Sequence, residues 1–368
     1  MWYNTAMKTY KYRLYPTKTQ KLKLESTLND CRWLYNSALE QRKIAYRQFG
    51  VSLNYYKQAS ELKELGFKHI HSQVLQDVLK RADKAFQNFF RRVKLGEKPG
   101  YPRFKGYGWY DSFTYPQSGF NLTDNKLKLS KIGTIKVKLH RKIKGTIKTC
   151  TIKRELNNWY VCFACEVEPM PLPKTNKVIG VDMGLEKFAT LSDNTMIENP
   201  KYLRKSESKL KCEQRKLSRK KKGSNQRKKQ RERVAKLHRK IRNQRTDFLH
   251  KESKKLVDNY DVIVFEDLQI KNMVKNHHLA KSISDASWSK FIEYTTYKAE
   301  NAGKMVKFVN PRNTSQICSS CGLMVKKSLA VRVHKCTCGL TLDRDVNAAI
   351  NILRLGTNQG GVTAVAGL

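Results

Sequence analysis

Basic residues dominate this chain: 74 lysines and arginines stand against 31 acidic residues, a formal net charge of +43 over 368 residues. Self-repulsion on that scale works against any compact state until a polyanion neutralises it. Solubility needs only a small net charge, so the excess points to a nucleic-acid partner. A ribosomal-type or purely architectural protein would share this property. The length suffices for two or three domains with cores of their own. Asn4, Lys8, Lys11 and Arg13 interrupt the first fifteen residues, so they do not read as a secretory segment. No apolar run reaches the roughly 18 residues that a membrane span needs. Nine cysteines, an odd number, without a secretion signal suit a reducing cytoplasm.

Tyr10, Tyr12 and Leu14 alternate with Lys11 and Arg13, which predicts a strand ended by Pro16. Met7 opens that strand more cleanly than Met1, so residues 1–6 read as an upstream start or a fray. Thr17 with Gln20 forms a capping box for a helix that buries Leu24, Leu28, Cys31, Tyr35 and Ala38 and stops at Gly50. A second helix, from His71 to Val93, sets Val74, Val78, Ala85 and Phe89 on one side. Its other face shows Gln73, Gln76, Lys80, Lys84 and Gln87. Residues 96–105 form a Gly- and Pro-marked loop, after which the period changes from 3.6 to 2. Ile135, Val137 and Leu139 alternate with Lys136, Lys138 and His140, and an Asn157-Asn158 turn precedes Trp159 to Val167. Several short strands in succession suggest a small barrel with a lysine ladder on its solvent face. That ladder serves edge protection or nucleic-acid contact.

Pro171 to Lys174 reads as a linker. Val178 to Met183, Phe188 to Leu191 and Asp261 to Phe265 then read as strands. Between them, residues 201–245 hold 21 basic residues against Glu207, Glu213 and Glu232. Lys222-Gly223-Ser224-Asn225 marks a turn, so this stretch is predicted to be a helical hairpin lying along a nucleic-acid backbone, with Lys220, Lys221 and Lys222 as contact residues. The alternative is a solvated charged face. Gly356 to Leu368 reads as a flexible, Gly-rich tail.

Three acids stand out. Asp182 lies in a strand, where Asp is depleted. Glu266 ends Val262-Ile263-Val264-Phe265, an apolar run typical of a strand buried on both faces. Asp345 follows Asp343, the expected N-cap of a helix whose stripe is Val346, Ile350 and Leu353. Ala348 and Ala349 would let that helix approach a sheet closely. Carboxylate oxygens converging from two strands and a helix suit Mg²⁺. Two such ions about 4 Å apart activate water and stabilise the leaving oxygen in phosphodiester hydrolysis. Taken singly, each acid could equally be a strand-end polar residue, a surface acid or a charge at a helix N-terminus.

Cys318-x₂-Cys321 and Cys336-x-Cys338 form a second constellation. Gly322 and Gly339 directly follow the two pairs and permit tight knuckle turns. Four thiolates favour one tetrahedral, structural zinc, with a disulfide pair as the alternative and His334 as a possible substitute ligand. Cys162 and Cys165 resemble half of another site, but residues three apart in a strand face opposite ways. They read, with Cys31, Cys150 and Cys212, as plain thiols.

These motifs resemble the TnpB (OrfB-type) transposon-encoded nucleases, relatives of type V CRISPR effectors, from Met7 to about Leu355. The resemblance rests on Gly180-Val181-Asp182-Met183-Gly184, Phe265-Glu266-Asp267-Leu268, Thr314-Ser315-Gln316-x-Cys318-x₂-Cys321-Gly322 and Cys338-Gly339-x₃-Asp343-Arg344-Asp345-x-Asn347-Ala348-Ala349. Lys98 to Lys105 and Ser112 to Pro116 add to it. It implies an α+β multidomain chain. An RNase H-like (RuvC) nuclease domain would occupy 174–312 and 341–355, with a zinc-finger insertion at 313–340. An N-terminal wedge barrel (1–16 and 108–170) would be interrupted by a helical recognition domain (17–107). It implies that Asp182, Glu266 and Asp345 are the catalytic Mg²⁺ ligands. It implies partners too: a guide RNA from the transposon end, and a double-stranded DNA target beside a short motif. On the exposed face of the second helix, Gln73, Gln76 and Lys80 are candidates for reading that duplex. The expected location is the prokaryotic cytoplasm, at the nucleoid. A DNA-joining transposase and a catalytically silent RNA-guided regulator are the competing functions. The latter could lose any of the three acids freely, whereas all three are present.

Overall fold

A computed structural model describes residues 6–328 and 331–358, apart from the Asn358 side chain. The expectations for residues 1–5 and 359–368 lie outside the described residues. The chain divides into two compact units, Met1–Glu168 and Pro169–Leu368.

In the first unit, β1 (Ala6–Tyr15) buries Tyr10, Tyr12 and Leu14 and turns Lys11 outward. α1 (Lys18–Phe49) starts at the Thr17–Gln20 capping box and ends at Gly50, whose φ of 63° only glycine adopts cheaply. It buries Leu24, Leu28, Cys31, Tyr35 and Ala38. α2 (Tyr55–Ser60) is short. α3 (Ser72–Lys94) buries Val74 and Val78 as expected, but its stripe continues through Ala82 and Phe86 rather than Ala85 and Phe89. Ala82 and Phe86 face the core shared with α1 and the strands, whereas Phe89 is half-buried, packing edge-on against Tyr101 of the loop that follows, ring centroids 5.3 Å apart.

Six strands come next: β2 (Ser112–Tyr115), β3 (Phe120–Thr123), β4 (Lys126–Leu129), β5 (Gly133–Lys138), β6 (Thr146–Glu155) and β7 (Asn158–Val167). With β1 they make an antiparallel sheet of order β2-β6-β7-β1-β5-β4-β3. Its two edge strands, β2 and β3, are joined by residues 116–119 alone. At roughly 3.5 Å per residue so short a link cannot span an open sheet, so the sheet curls into a nearly closed barrel. The Tyr115 hydroxyl donates to the Ser130 carbonyl across this seam, at 3.0 Å. Helices α1 and α3 share one core with the barrel. Outside, Lys126 pairs in register with Lys136 and both are exposed. Like charges directly opposite are unfavourable, and a polyanion would relieve them.

The second unit holds β8 (Val178–Met183), β9 (Lys187–Leu191), β10 (Met196–Glu198), α4 (Tyr202–Ser218), α5 (Asn225–Asn259), β11 (Val262–Glu266), α6 (Ile270–Met273), α7 (His277–Ala286), α8 (Trp288–Asn301), β12 (Met305–Val309), β13 (Val333–Lys335), β14 (Thr341–Asp343) and α9 (Arg344–Asn358). The main sheet runs β10-β9-β8-β11-β12. β8, β11 and β12 are parallel, and β9 and β10 are antiparallel additions. Parallel neighbours need crossovers: α4 and α5 supply one between β8 and β11, and α8 another between β11 and β12. Ile263 and Phe265 face the core formed with α5 and α8. Val264 faces Ile352 of α9 on the other side.

Gly180 permits α9 to lie against β8. A Cβ there would come within 2.2 Å of the Ala349 carbonyl oxygen. Gly356 sits similarly over Val264, where a Cβ would meet a side-chain carbon at 2.5 Å. The expected tail therefore begins too early: 356–358 are the last turn of α9, held by packing on the sheet. The expected linker is also held, since Met170 and Leu172 donate to the carbonyls of Asn301 and Ala302. No described helix is long and apolar enough to cross a membrane.

Candidate metal centres

Register brings two of the three acids together. Val181 pairs with Phe265 across the parallel β8–β11 ladder, so Asp182 and Glu266 follow as neighbours at the same strand ends, about 4.8 Å apart along the sheet. Strand parity sets their face. Gly180 and Val264 touch α9, and the side chains two residues later point the same way. Asp345 lies in the first turn of α9. Its neighbour Asp343 caps the helix, accepting from the N–H groups of Asp345 (2.8 Å) and Val346 (3.3 Å).

Crowded, buried acids hold their protons. Burial first, then Glu266 and Asp345, push Asp182 up to about 8, against the opposing Arg344 guanidinium. Glu266 is raised by burial, which the Thr314 hydroxyl counters by donating to Oε1 at 2.5 Å. Arg344 bonds Asp345 Oδ1 at 3.0 and 3.1 Å, placing a positive charge beside the acids. Hard oxygens under mutual repulsion are the donor set that a divalent cation stabilises. They are looser than the thiols, however. Among the described residues, only the cysteine set has every donor within 4.8 Å.

That set is Cys318, Cys321, Cys336 and Cys338. Cys318 and Cys338 sulfurs lie 3.7 Å apart, and those of Cys321 and Cys336 3.6 Å. A disulfide would bring sulfurs to about 2.05 Å, whereas a tetrahedron of Zn–S bonds of about 2.3 Å has edges near 3.8 Å. The four thiols are thus spaced to hold a zinc-sized ion. Gly322 (φ 80°) and Gly339 (φ 90°) make the knuckle turns. Burial raises the Cys318 thiol, but backbone N–H groups of Cys321 and Ser320, with the side chains of His334 and Cys336, bring it down to about 5. His334 is buried with Nδ1 2.5 Å from Lys327 Nζ, and it is not one of the four donors. Cys162 is half-buried and Cys165 buried, on opposite faces of β7.

Two asparagines, whose roles sequence reasoning missed, join the centres. Asn347 Nδ2 donates to the Ile317 carbonyl and its Oδ1 accepts from Ser319 N–H, at 2.8 and 2.9 Å. Asn351 Nδ2 donates to the carbonyls of Thr314 and Ile317. The knuckle carrying Cys318 is therefore tied to the helix carrying Asp345. The signal in the sequence was two amides one helical turn apart in an apolar stretch, and the structure buries both.

α4 and α5 form the basic hairpin, with Arg227 Nη1 closing the end of α4 on the carbonyls of Leu217 and Lys220. Lys221 and Lys222 are exposed and Lys220 half-buried at the turn. On α3, Gln73 is engaged: Oε1 accepts from Ser118 N–H and Oγ at 3.0 and 3.1 Å. Gln76 and Lys80 remain exposed.

A family model of OrfB IS605 type, described as a probable transposase, matches residues 162–277. A Cas12f1-like TNB domain model matches 288–352. A helix-turn-helix model of the OrfB group matches 4–50, where the structure has β1 and α1. Over 95% of its length the chain is 36% identical to a Streptomyces pristinaespiralis protein named for RNA-guided DNA endonuclease activity, covering 89% of it. It is 33% identical to the Escherichia coli K12 protein InsQ, named for the same activity, over 95% of this chain and 92% of that one. The fold matches the protein of a cryo-EM Cas12f1–sgRNA–target DNA complex with TM-score 0.60, at 13% identity, over 95% of this chain and 99% of the other.

Proposed function

The chain belongs to the TnpB family, and from that premise we propose that it is an RNA-guided, metal-dependent DNA endonuclease of an insertion element, cutting beside a short flanking motif. The observation that carries the reading is the placement of Asp182, Glu266 and Asp345 on one face at the ends of β8 and β11 and the start of α9. Asp182 and Glu266 stand on adjacent parallel strands, so the sheet sets their spacing. Thr314 orients Glu266, and Asp343, by capping α9, fixes where Asp345 projects. Two divalent ions held by these carboxylates would supply a deprotonated water and neutralise charge on the leaving 3′ oxygen. The four thiols would hold a structural zinc, whose role is to fix the knuckle against α9 through Asn347 and Asn351.

On this reading the sheet and α9 of the second unit form a RuvC-like nuclease domain, with 313–340 as its zinc finger. In the first unit the barrel is the wedge and residues 17–107 the helical recognition domain. The guide RNA comes from the transposon end, and the basic hairpin contributes phosphate contacts. The test is cleavage of motif-bearing duplex DNA by purified protein with its co-purifying RNA. Wild type with Mg²⁺ should cut, whereas Asp182→Ala, Glu266→Ala, Asp345→Ala and wild type in EDTA should not. Robust cutting by any of these would falsify the mechanism, and joined DNA products would favour a transposase.

A further inference from the structure

The loop between α3 and β2 interleaves Tyr101, Phe104, Tyr107 and Trp109 with Arg103 and Lys105. Three of those rings already have cations over them. Lys43 Nζ lies 4.5 Å from the Phe104 centroid and 5.4 Å from that of Tyr101, and Arg32 lies 6.0 Å from that of Tyr107. Trp109 differs. Its side chain is 81% exposed and, among the described residues, meets neither a ring nor a cation. The loop is nonetheless anchored beside it, because Asn36 bonds both the N–H and the carbonyl of Lys105, at 2.8 and 3.0 Å.

Trp109 borders an open cleft of about 410 Å³, lined also by Tyr35, Tyr110, Lys84, Asn88, Lys105 and Asp111, the last with its carboxylate 3.5 Å from Lys153 Nζ. Tyr35 and Tyr110 are buried in it, centroids 6.1 Å apart. The Tyr110 hydroxyl is buried with the Arg81 guanidinium nearby but without a well-formed hydrogen bond. Lys84 and Asn88 line the cleft from α3. An aromatic face, a pair of lysines and an exposed amide together match a nucleotide: a π-surface, a phosphate and a hydrogen-bonding edge. A base inside a duplex is already stacked on both sides and cannot offer its face.

We propose that this cleft binds one unpaired nucleotide of a single strand, its base stacked on the Trp109 indole and its phosphate held by Lys84 and Lys105. The exposed Asn88 amide meets the polar edge of the base. The site lies wholly within the first unit and does not depend on cleavage. Guide RNA and a displaced DNA strand offer the same chemistry, so both are probes.

The full chain is titrated in EDTA, at about 0.15 M salt, with fluorescently labelled short RNA, single-stranded DNA of the same sequence, and an abasic strand of equal charge. Trp109→Ala should weaken binding of a base-bearing strand roughly tenfold, and Trp109→Phe should retain most of it. The abasic strand should not distinguish Trp109→Ala from wild type. Lys84→Ala with Lys105→Ala should weaken all the strands that the cleft accepts, abasic included, and reduce the salt slope. A loss confined to RNA assigns the guide, and one confined to DNA assigns the displaced strand; either supports the site. Unchanged affinity of Trp109→Ala for both strands, or an equal loss on the abasic strand, overturns it. Because no cutting is measured, failure here and failure of the nuclease reading are separate results.

Discussion

The substitution Asp182→Asn should abolish cleavage and yet stabilise the metal-free protein. The carboxyl is pushed from its ordinary 3.8 to about 8 by burial and by Glu266 and Asp345. The folded state thus binds this proton more tightly than the unfolded chain does. Stability from that preference is fully present below about pH 4 and is lost as pH rises through about 8. Above that window the displacement corresponds to about 6 kcal/mol, at ~1.4 kcal/mol per decade. Water entry and separation of the acids reduce it to an expected loss of about 2–3 kcal/mol, or roughly 5–10 °C in Tm for a unit of about 200 residues. The amide that replaces the carboxyl has no such proton to lose, so the variant's advantage should grow from about pH 4 to about pH 8. The assay is thermal unfolding of both proteins in EDTA across that range in small pH steps, repeated with Mg²⁺. The cation should raise wild type more than the variant, because it stabilises the ionised cluster. A variant that melts at or below wild type at the alkaline end in EDTA, or a gap that does not change with pH, would refute the reasoning.

Gly180→Ala should displace α9 from β8, cost about 1–3 kcal/mol and reduce cleavage more than guide binding, as compared by cleavage and filter-binding assays. Cys318→Ser or Cys336→Ser should release zinc, measured by metal analysis, and lower solubility; wild type with substoichiometric zinc and normal stability would remove this idea. Asn347→Ala leaves Ser319 N–H without its partner and should cost about 1–3 kcal/mol, seen as faster zinc loss to a chelator. Neutral substitutions at Lys220, Lys221 and Lys222 should flatten the salt dependence of RNA binding, and an unaltered slope would show the turn free of nucleic acid. Gln76→Ala should alter flanking-motif preference with unchanged Tm, whereas Gln73→Ala should lower Tm by freeing the Ser118 turn.

Local signals in the sequence determined a good deal of this protein. The Thr17–Gln20 box, Gly50, the alternation of Tyr10, Tyr12 and Leu14, the Asp343 cap and the two close cysteine pairs each depend on residues within a few positions, and each appears in the structure. What required the tertiary structure was anything set by a partner distant in the chain. The stripe of α3 runs through Ala82 and Phe86 because those are the positions that face the core shared with α1 and the barrel, while Ala85 and Phe89 stay half-buried. Gln73 was drawn from the exposed face by Ser118. The end of α9 and the roles of Asn347 and Asn351 depend on the sheet and knuckle they meet. The carboxylate centre lies between these cases. Each acid was legible singly from its strand end or helix start, but one alternative for each was an ordinary polar position. Only the register of β8 against β11, across a long helical crossover, put Asp182 beside Glu266 on the face that α9 covers. Hydrophobic periodicity states which side of a strand is buried; it does not state which strand will lie next to it.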